Sequence, residues 1–118
     1  IGVRLVGSEM CIRDRVFTIQ QSQILQVKKI MNVCVFPEII CTDLNNNAFS
    51  ESYRALSKGM KDSFLLKGDG FGATYQFPYF PLRIDYILTD PIIKTISFKT
   101  HSVKLSDHKP ISVTIEWP

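Results

Sequence analysis

The sequence contains no apolar run long enough to cross a membrane as a helix, so no integral-membrane class follows from it. Cysteine is scarce: three in 118 residues, with no second Cys or His cluster at ligand spacing, which argues against a zinc site or a disulfide framework. Cys34 and Cys41, in or beside an apolar run, read as buried free thiols. Charge of one sign is also lacking. Fourteen basic residues stand against eleven acidic ones, a net charge of +3, too mild to mark a nucleic-acid surface. The glycines Gly68, Gly70 and Gly72 lack the following Lys-Ser or Lys-Thr of a phosphate loop and read as an ordinary connection. The length allows at most one domain.

The chemistry is concentrated in three stretches. Ser106-Asp107-His108-Lys109-Pro110 precedes a segment in which Ile111, Val113 and Ile115 alternate with Ser112, Thr114 and Glu116, the pattern of a half-buried strand. Adjacent side chains of a strand point to opposite faces, so Asp107 and His108 can serve one site only from a loop, which Pro110 favours. In Thr42-Asp43-Leu44-Asn45, after the apolar Phe36 to Cys41, the i, i+2 spacing puts Asp43 and Asn45 on one face at a strand end. In Arg83-Ile84-Asp85-Tyr86-Ile87-Leu88 an acid interrupts a β-branched and aromatic strand, where a carboxylate is costly without a polar partner. His108 is the natural candidate for that partner.

Between these stretches, Ile24, Val27 and Ile30 recur at helical spacing and predict a surface helix over 20–31, with Lys28 and Lys29 near its end suiting its dipole. Val33 to Cys41 reads as a buried strand whose true start lies near Glu38 because of Pro37. Ser50 is placed to cap a helix over 51–58, with Tyr53 and Leu56 facing inward and Gly59 just past its end. A connection follows from Asp62, then short strands at 74–77, 83–88 and 92–98, the last two joined by a turn at Thr89-Asp90-Pro91. His101 has no evident partner.

Asp-x-Asn at a strand end, then Arg-Ile-Asp-Tyr-Ile-Leu, then Ser-Asp-His-Lys-Pro-Ile, in that order, resembles the C-terminal half of the endonuclease/exonuclease/phosphatase superfamily. Ser50 to Leu56 and Gly70 to Tyr75 are similar to the helix and the Thr-Tyr strand between those motifs in bacterial members. The resemblance runs from about Gln20 to Trp117. It implies an α/β (α+β) sandwich of the DNase I-like kind, two sheets face to face with helices outside, of which only the C-terminal half is present. It further implies metal-dependent hydrolysis of phosphate esters, with magnesium, or manganese, as cofactor. Asp43 would orient or deprotonate the attacking water, and Asn45 would position water and phosphate. Asp107 would be a metal ligand, with Asp43 and Asn45 as further candidates. His108 would contact the scissile phosphate, and Asp85 would hold its other nitrogen and so fix the tautomer.

Two departures from the family pattern stand out. Members commonly carry Gly-Asp-Phe-Asn where this chain has Thr42-Asp43-Leu44-Asn45, and nothing before Gln20 corresponds to the family's first metal-site Asn, its Glu metal ligand or its central His. The expected partners are therefore the missing N-terminal half and a phosphate-ester substrate, whether nucleic acid, phosphoinositide or phospholipid headgroup. Two other readings compete: a non-catalytic binding or scaffolding relative, against which retention of all five site residues argues, and a hydrolase with Cys41 as nucleophile and His108 as base. The apolar setting of Cys41 disfavours a thiolate.

Residues 1–15 are set aside as non-native, because Gly7 to Arg15 resembles the translated end of a sequencing-library adaptor, leaving 16–118 as part of one domain. Three arginines and two acids go with that segment, so 11 bases and 9 acids remain, a net +2.

Overall fold

A computed structural model describes residues 2–4, 13–44, 50–76, 81–103 and 106–118. The strands are β1 (Gly2–Arg4), β2 (Ile39–Asp43), β3 (Lys61–Asp62), β4 (Tyr75–Gln76), β5 (Pro81–Leu82), β6 (Asp85–Thr89), β7 (Lys94–Thr100) and β8 (Ile111–Glu116). The helices are α1 (Arg13–Val33), α2 (Glu51–Ser57) and α3 (Ser63–Lys67). A four-stranded sheet runs in the order β1-β2-β6-β3, and β4-β5 and β7-β8 form two-stranded sheets. All pairings are antiparallel except β1 with β2. β1 belongs to the segment that the sequence sets aside. Ladder bonds are made by backbone, so the open edge of β2 accepts an extended segment whatever its side chains.

The core gathers Ile24 of α1, Ile40 of β2, Leu44, Tyr53 and Leu56 of α2, and Tyr86 and Leu88 of β6, with Val27, Met31 and Met60 packed on it. The helix face differs by one position from that expected. At about 100° per residue, Met31 falls within about 20° of Ile24 around the axis, whereas Ile30 falls about 120° away; Ile30 is accordingly 67% exposed. The helix also extends to Val33. Lys28 therefore serves another helix than its own: its Nζ donates to the carbonyl of Lys58 at the end of α2, 2.9 Å away. Burial lowers the pKa of that amine, Glu38 opposing and Lys58 adding to the shift.

Ser50 caps α2 as its position suggests, its hydroxyl accepting from Tyr53 N at 3.1 Å. The segment after Asp62 differs from the expected loop. Asp62 Oδ1 accepts from Phe64 N and starts the single turn of α3, which the short sequence 63–67 does not announce by periodicity. Gly68 and Gly72 lie so close over the Phe64 ring that a Cβ at either would collide with it, and Gly72 has φ +69°. The glycines thus wrap an aromatic ring. Both Cys34 and Cys41 are free, but Cys34 is exposed, because β2 starts only at Ile39. His101 has a partner after all, Ser112 Oγ at 2.8 Å across the β7–β8 hairpin.

A buried ion pair ties these pieces together. Arg83 Nη1 and Asp62 Oδ2 are 2.7 Å apart, with side chains 9% and 3% exposed. Tyr53 donates to the same Asp62 oxygen at 2.6 Å. The guanidinium lies over the rings of Phe64 and Tyr86 at 4.7 and 4.8 Å. Burial, and then the Asp62 carboxylate that accepts its proton, push the Tyr53 hydroxyl up to about 12. The folded protein holds that proton harder than the unfolded chain, so its stabilising effect is complete below about pH 10 and is lost as pH rises through about 12. Spectrophotometric titration should place Tyr53 ionisation in that window, and Tyr53→Phe should flatten the alkaline fall in stability. Arg83→Met, which strands the buried carboxylate, should cost about 3–5 kcal/mol in chemical denaturation. Adding Asp62→Asn should recover part of the loss.

Candidate functional site

β2 and β6 end at one place. Their register sets Asp43 directly opposite Asp85, the last residue of one strand against the first of the other. Two carboxylates so placed repel each other unless a positive or proton-donating group joins them. His108 supplies one. Its Nδ1 is 2.7 Å from Asp85 Oδ2 and its Nε2 is 3.8 Å from Asp43 Oδ2. An ionised carboxylate only accepts, so Nδ1 carries the proton that binds Asp85 and the Asp85 contact selects the tautomer. The side chains are 31% (Asp43), 17% (Asp85) and 30% (His108) exposed, which leaves the group open to a ligand.

Thr74 fixes these parts relative to one another. Its buried hydroxyl accepts from the backbone amides of both Ile84 and Asp85 at 3.1 Å. Its amide donates to Leu82 O at 2.9 Å, and its carbonyl accepts from Lys109 N at 2.6 Å. One residue thereby holds the backbone at Asp85 and the backbone next to His108. Tyr75 adds an antiparallel bridge to His108 and sets its ring 5.3 Å from the imidazole. Leu44 N donates to Ile84 O at 3.0 Å, fastening the end of β2 to the start of β6. Ser106 Oγ accepts from His108 N at 3.0 Å and shapes the preceding bend.

Of the five residues singled out in the sequence, Asp43, Asp85 and His108 converge. Asp107, in the bend before His108, is exposed and does not join them. Asn45 lies outside the described residues. Thr74 and Tyr75 were missed as site residues. No sequence signal marks a threonine whose hydroxyl serves two amides ten and eleven residues away.

Asp43, Asp85 and His108 are the one group of acidic, histidine or cysteine side chains among the described residues able to converge on a metal ion, with ligand atoms within 4.8 Å of one another. Because Nδ1 and Asp85 already satisfy each other, the donors left for a hard cation are chiefly carboxylate oxygens, which suits a divalent ion of the magnesium kind.

Residues 39–108, more than half of the chain, match the model of the Endonuclease/Exonuclease/phosphatase family, and the chain belongs to that family. Its members are phosphoesterases and generally depend on a divalent metal. Comparison with curated proteins finds no match. Among solved structures, a mannosyl-6-phosphatase of Bacteroides thetaiotaomicron is 21% identical with a TM-score of 0.66, covering 98% of this chain and 50% of its own. An endonuclease/exonuclease/phosphatase from Bacteroides vulgatus is 24% identical with a TM-score of 0.67, over 84% of this chain and 44% of its own. A 3′ phosphatase from Neisseria, bound to product DNA hairpin, is 16% identical with a TM-score of 0.71, over 88% of this chain and 54% of its own. These likenesses concern the fold, which is DNase I-like as the motifs imply. The chain spans about half the length of the structures it matches.

Thr74→Val should remove the acceptor for two amides and lower stability by about 1–3 kcal/mol. It should also broaden the NMR signal of the His108 Nδ1 proton, which Asp85→Asn should shift or abolish. Thr74→Ser should restore both; a signal indifferent to Thr74 would sink its positioning role.

Proposed function

We propose that the whole protein is a magnesium-dependent phosphate-ester hydrolase, of which residues 16–118 are the C-terminal part of one domain, residues 1–15 being adaptor-derived. The observation that carries this reading is the imidazole of His108, held by Asp85 on one nitrogen and turned towards Asp43 with the other. Hydrolysis needs an aligned water, neutralisation of the nonbridging oxygens and help for the leaving oxygen. Asp43 takes the proton of the attacking water as its oxygen bonds to phosphorus and the ester P–O bond breaks, the departing oxygen taking its proton from solvent. Asn45 positions that water and the phosphate. His108, carrying a proton on both ring nitrogens, donates from Nε2 to a phosphate oxygen, and Asp85 accepts from Nδ1 and so keeps the imidazole in the orientation that allows it.

From this chain Asp107 would hold magnesium, with Asp43 and Asn45 as further candidates. A bound ion would offset negative charge on the phosphate. Few side chains are needed, because magnesium keeps several waters. The substrate class is a phosphate ester. Two of the similar structures bear the name of a phosphatase, which favours a terminal phosphate over an internal diester.

The test uses the complete protein. Asp85→Asn and His108→Ala should each lower kcat on an activated aryl phosphate by about 10²–10⁴-fold with little change in fold. Chelation should abolish turnover and magnesium should restore it. Near-normal turnover of Asp85→Asn would sink the pairing with His108, and inactivity of the complete native protein with every phosphate ester would favour a non-catalytic relative.

A further inference from the structure

The connection from α3 to β4 sets a carboxyl group beside an amide nitrogen that nothing else engages. Asp69-Gly70 lies between Gly68 and Gly72, which both rest on the Phe64 ring. Asp69 and Gly70 are exposed, and among the described residues neither the carboxylate of the one nor the N–H of the other has a hydrogen-bond partner. Gly70 has φ +68° and open space where a side chain would stand. An unbonded, unhindered amide nitrogen can attack the carboxyl carbon of the residue before it. Every other described aspartate from residue 16 onward is blocked. Leu44 N and His108 N, which follow Asp43 and Asp107, donate to Ile84 O and Ser106 Oγ. Asp85 precedes the buried Tyr86 inside β6. Asp62 is buried and held by Arg83 and Tyr53. Pro91, after Asp90, has no N–H.

The reaction balances without any co-reactant but water. The Gly70 nitrogen bonds to the side-chain carboxyl carbon of Asp69, and the amide proton leaves with the carboxyl hydroxyl as water, closing a succinimide. Water then opens that ring at either carbonyl. Opening at the side-chain carbonyl restores the aspartate. Opening at the backbone carbonyl leaves the chain running through the side-chain methylene, an isoaspartate with one more backbone carbon and unchanged mass. This connection tolerates the extra atom poorly, because Gly68 and Gly72 are pressed on one ring from both sides of the bond that lengthens. Phe64 in turn lies under the Arg83 guanidinium at 4.7 Å and edge-on to Phe98 at 5.5 Å. We propose that Asp69-Gly70 is a site of spontaneous modification, where isoaspartate forms in the folded protein and lifts the glycine wrap from Phe64.

The test incubates the complete protein at neutral pH, folded and in urea, and compares its proteolytic peptides over time by chromatography and mass spectrometry. In the folded protein the peptide carrying residue 69 should split into two forms of equal mass, the new one a substrate for an isoaspartyl methyltransferase. The peptides carrying Asp62 and Asp107 should convert several-fold more slowly. In urea, which releases Asp62 from Arg83, the Asp62-Ser63 peptide should begin to split as well. Asp69→Glu keeps the charge but would have to close a larger, less favoured ring, and should remove the signal at 69. Aged native protein should lose stability in chemical denaturation, and aged Asp69→Glu should lose none. The proposal is overturned if residue 69 converts no faster than 62 and 107 in the folded protein, or if converted and unconverted protein unfold at the same denaturant concentration.

Discussion

Two carboxylates face each other across neighbouring strands, and the rest of the site is arranged around that repulsion. Asp43 and Asp85 occupy paired positions in the β2–β6 ladder. In a core such a pair would be untenable as two anions. Here it lies where both strands end, partly open to solvent, and His108 donates into it. The imidazole resolves the conflict only if it is held in place, because a freely turning ring would pair with water as readily as with Asp85. Thr74, Tyr75 and the bend at Ser106 hold it, each by backbone contacts that leave the ring nitrogens available.

The buried Arg83–Asp62 pair belongs to the same logic. A buried ion pair is weak support for stability, because desolvation consumes most of its Coulombic gain. It is strong on position, since neither partner can move without stranding the other. Arg83 lies two residues before Asp85, and its guanidinium is fixed by Asp62 Oδ2 and by the rings of Phe64, Tyr86 and Tyr53. Its carbonyl accepts from Tyr86 OH at 2.7 Å. The start of β6 is thus clamped on both sides of the residue whose carboxylate orients His108. Asp62 also starts α3 and binds Tyr53, so the same carboxylate links α2, α3 and β6.

What the sequence disclosed followed from short-range rules. The alternation over 111–116, the acid within Arg83 to Leu88, the Ser50 cap and the turn at Thr89-Asp90-Pro91 each depend on neighbours a few positions apart, and each is found in the structure. The pairing of Asp85 with His108 was inferable because a part-buried carboxylate needs a partner. The register that opposes Asp43 to Asp85 was not, since it depends on which strands meet and at what offset. The same limit hid Thr74, whose role exists only once 82–85 and 109 are brought beside it. Ile30 and Lys28 were misassigned for a different reason: a helix taken as ending near Met31 hides both the inward Met31 and the reach of Lys28 to a second helix. Asp107 lies in the loop expected for it but stands exposed, apart from the group that His108 joins.

The division of labour within the site follows from where its parts reside in the chain. Proton handling requires groups within hydrogen-bond distance; His108 and Asp85 meet that condition at 2.7 Å, while Asp43, 3.8 Å from Nε2, stands just beyond it. A metal ion of the magnesium kind would need few of these side chains, because it keeps several waters, and the imidazole is already engaged through Nδ1. The β7–β8 hairpin leaves its apolar side uncovered among the described residues: Ile111, Val113 and Ile115 are only half-buried, and Ile96 and Trp117 are exposed. A two-stranded sheet with an apolar face needs a further layer to be stable. The structure therefore joins a closely held group of Asp43, Asp85 and His108 to a hairpin whose apolar residues are incompletely covered among the described residues.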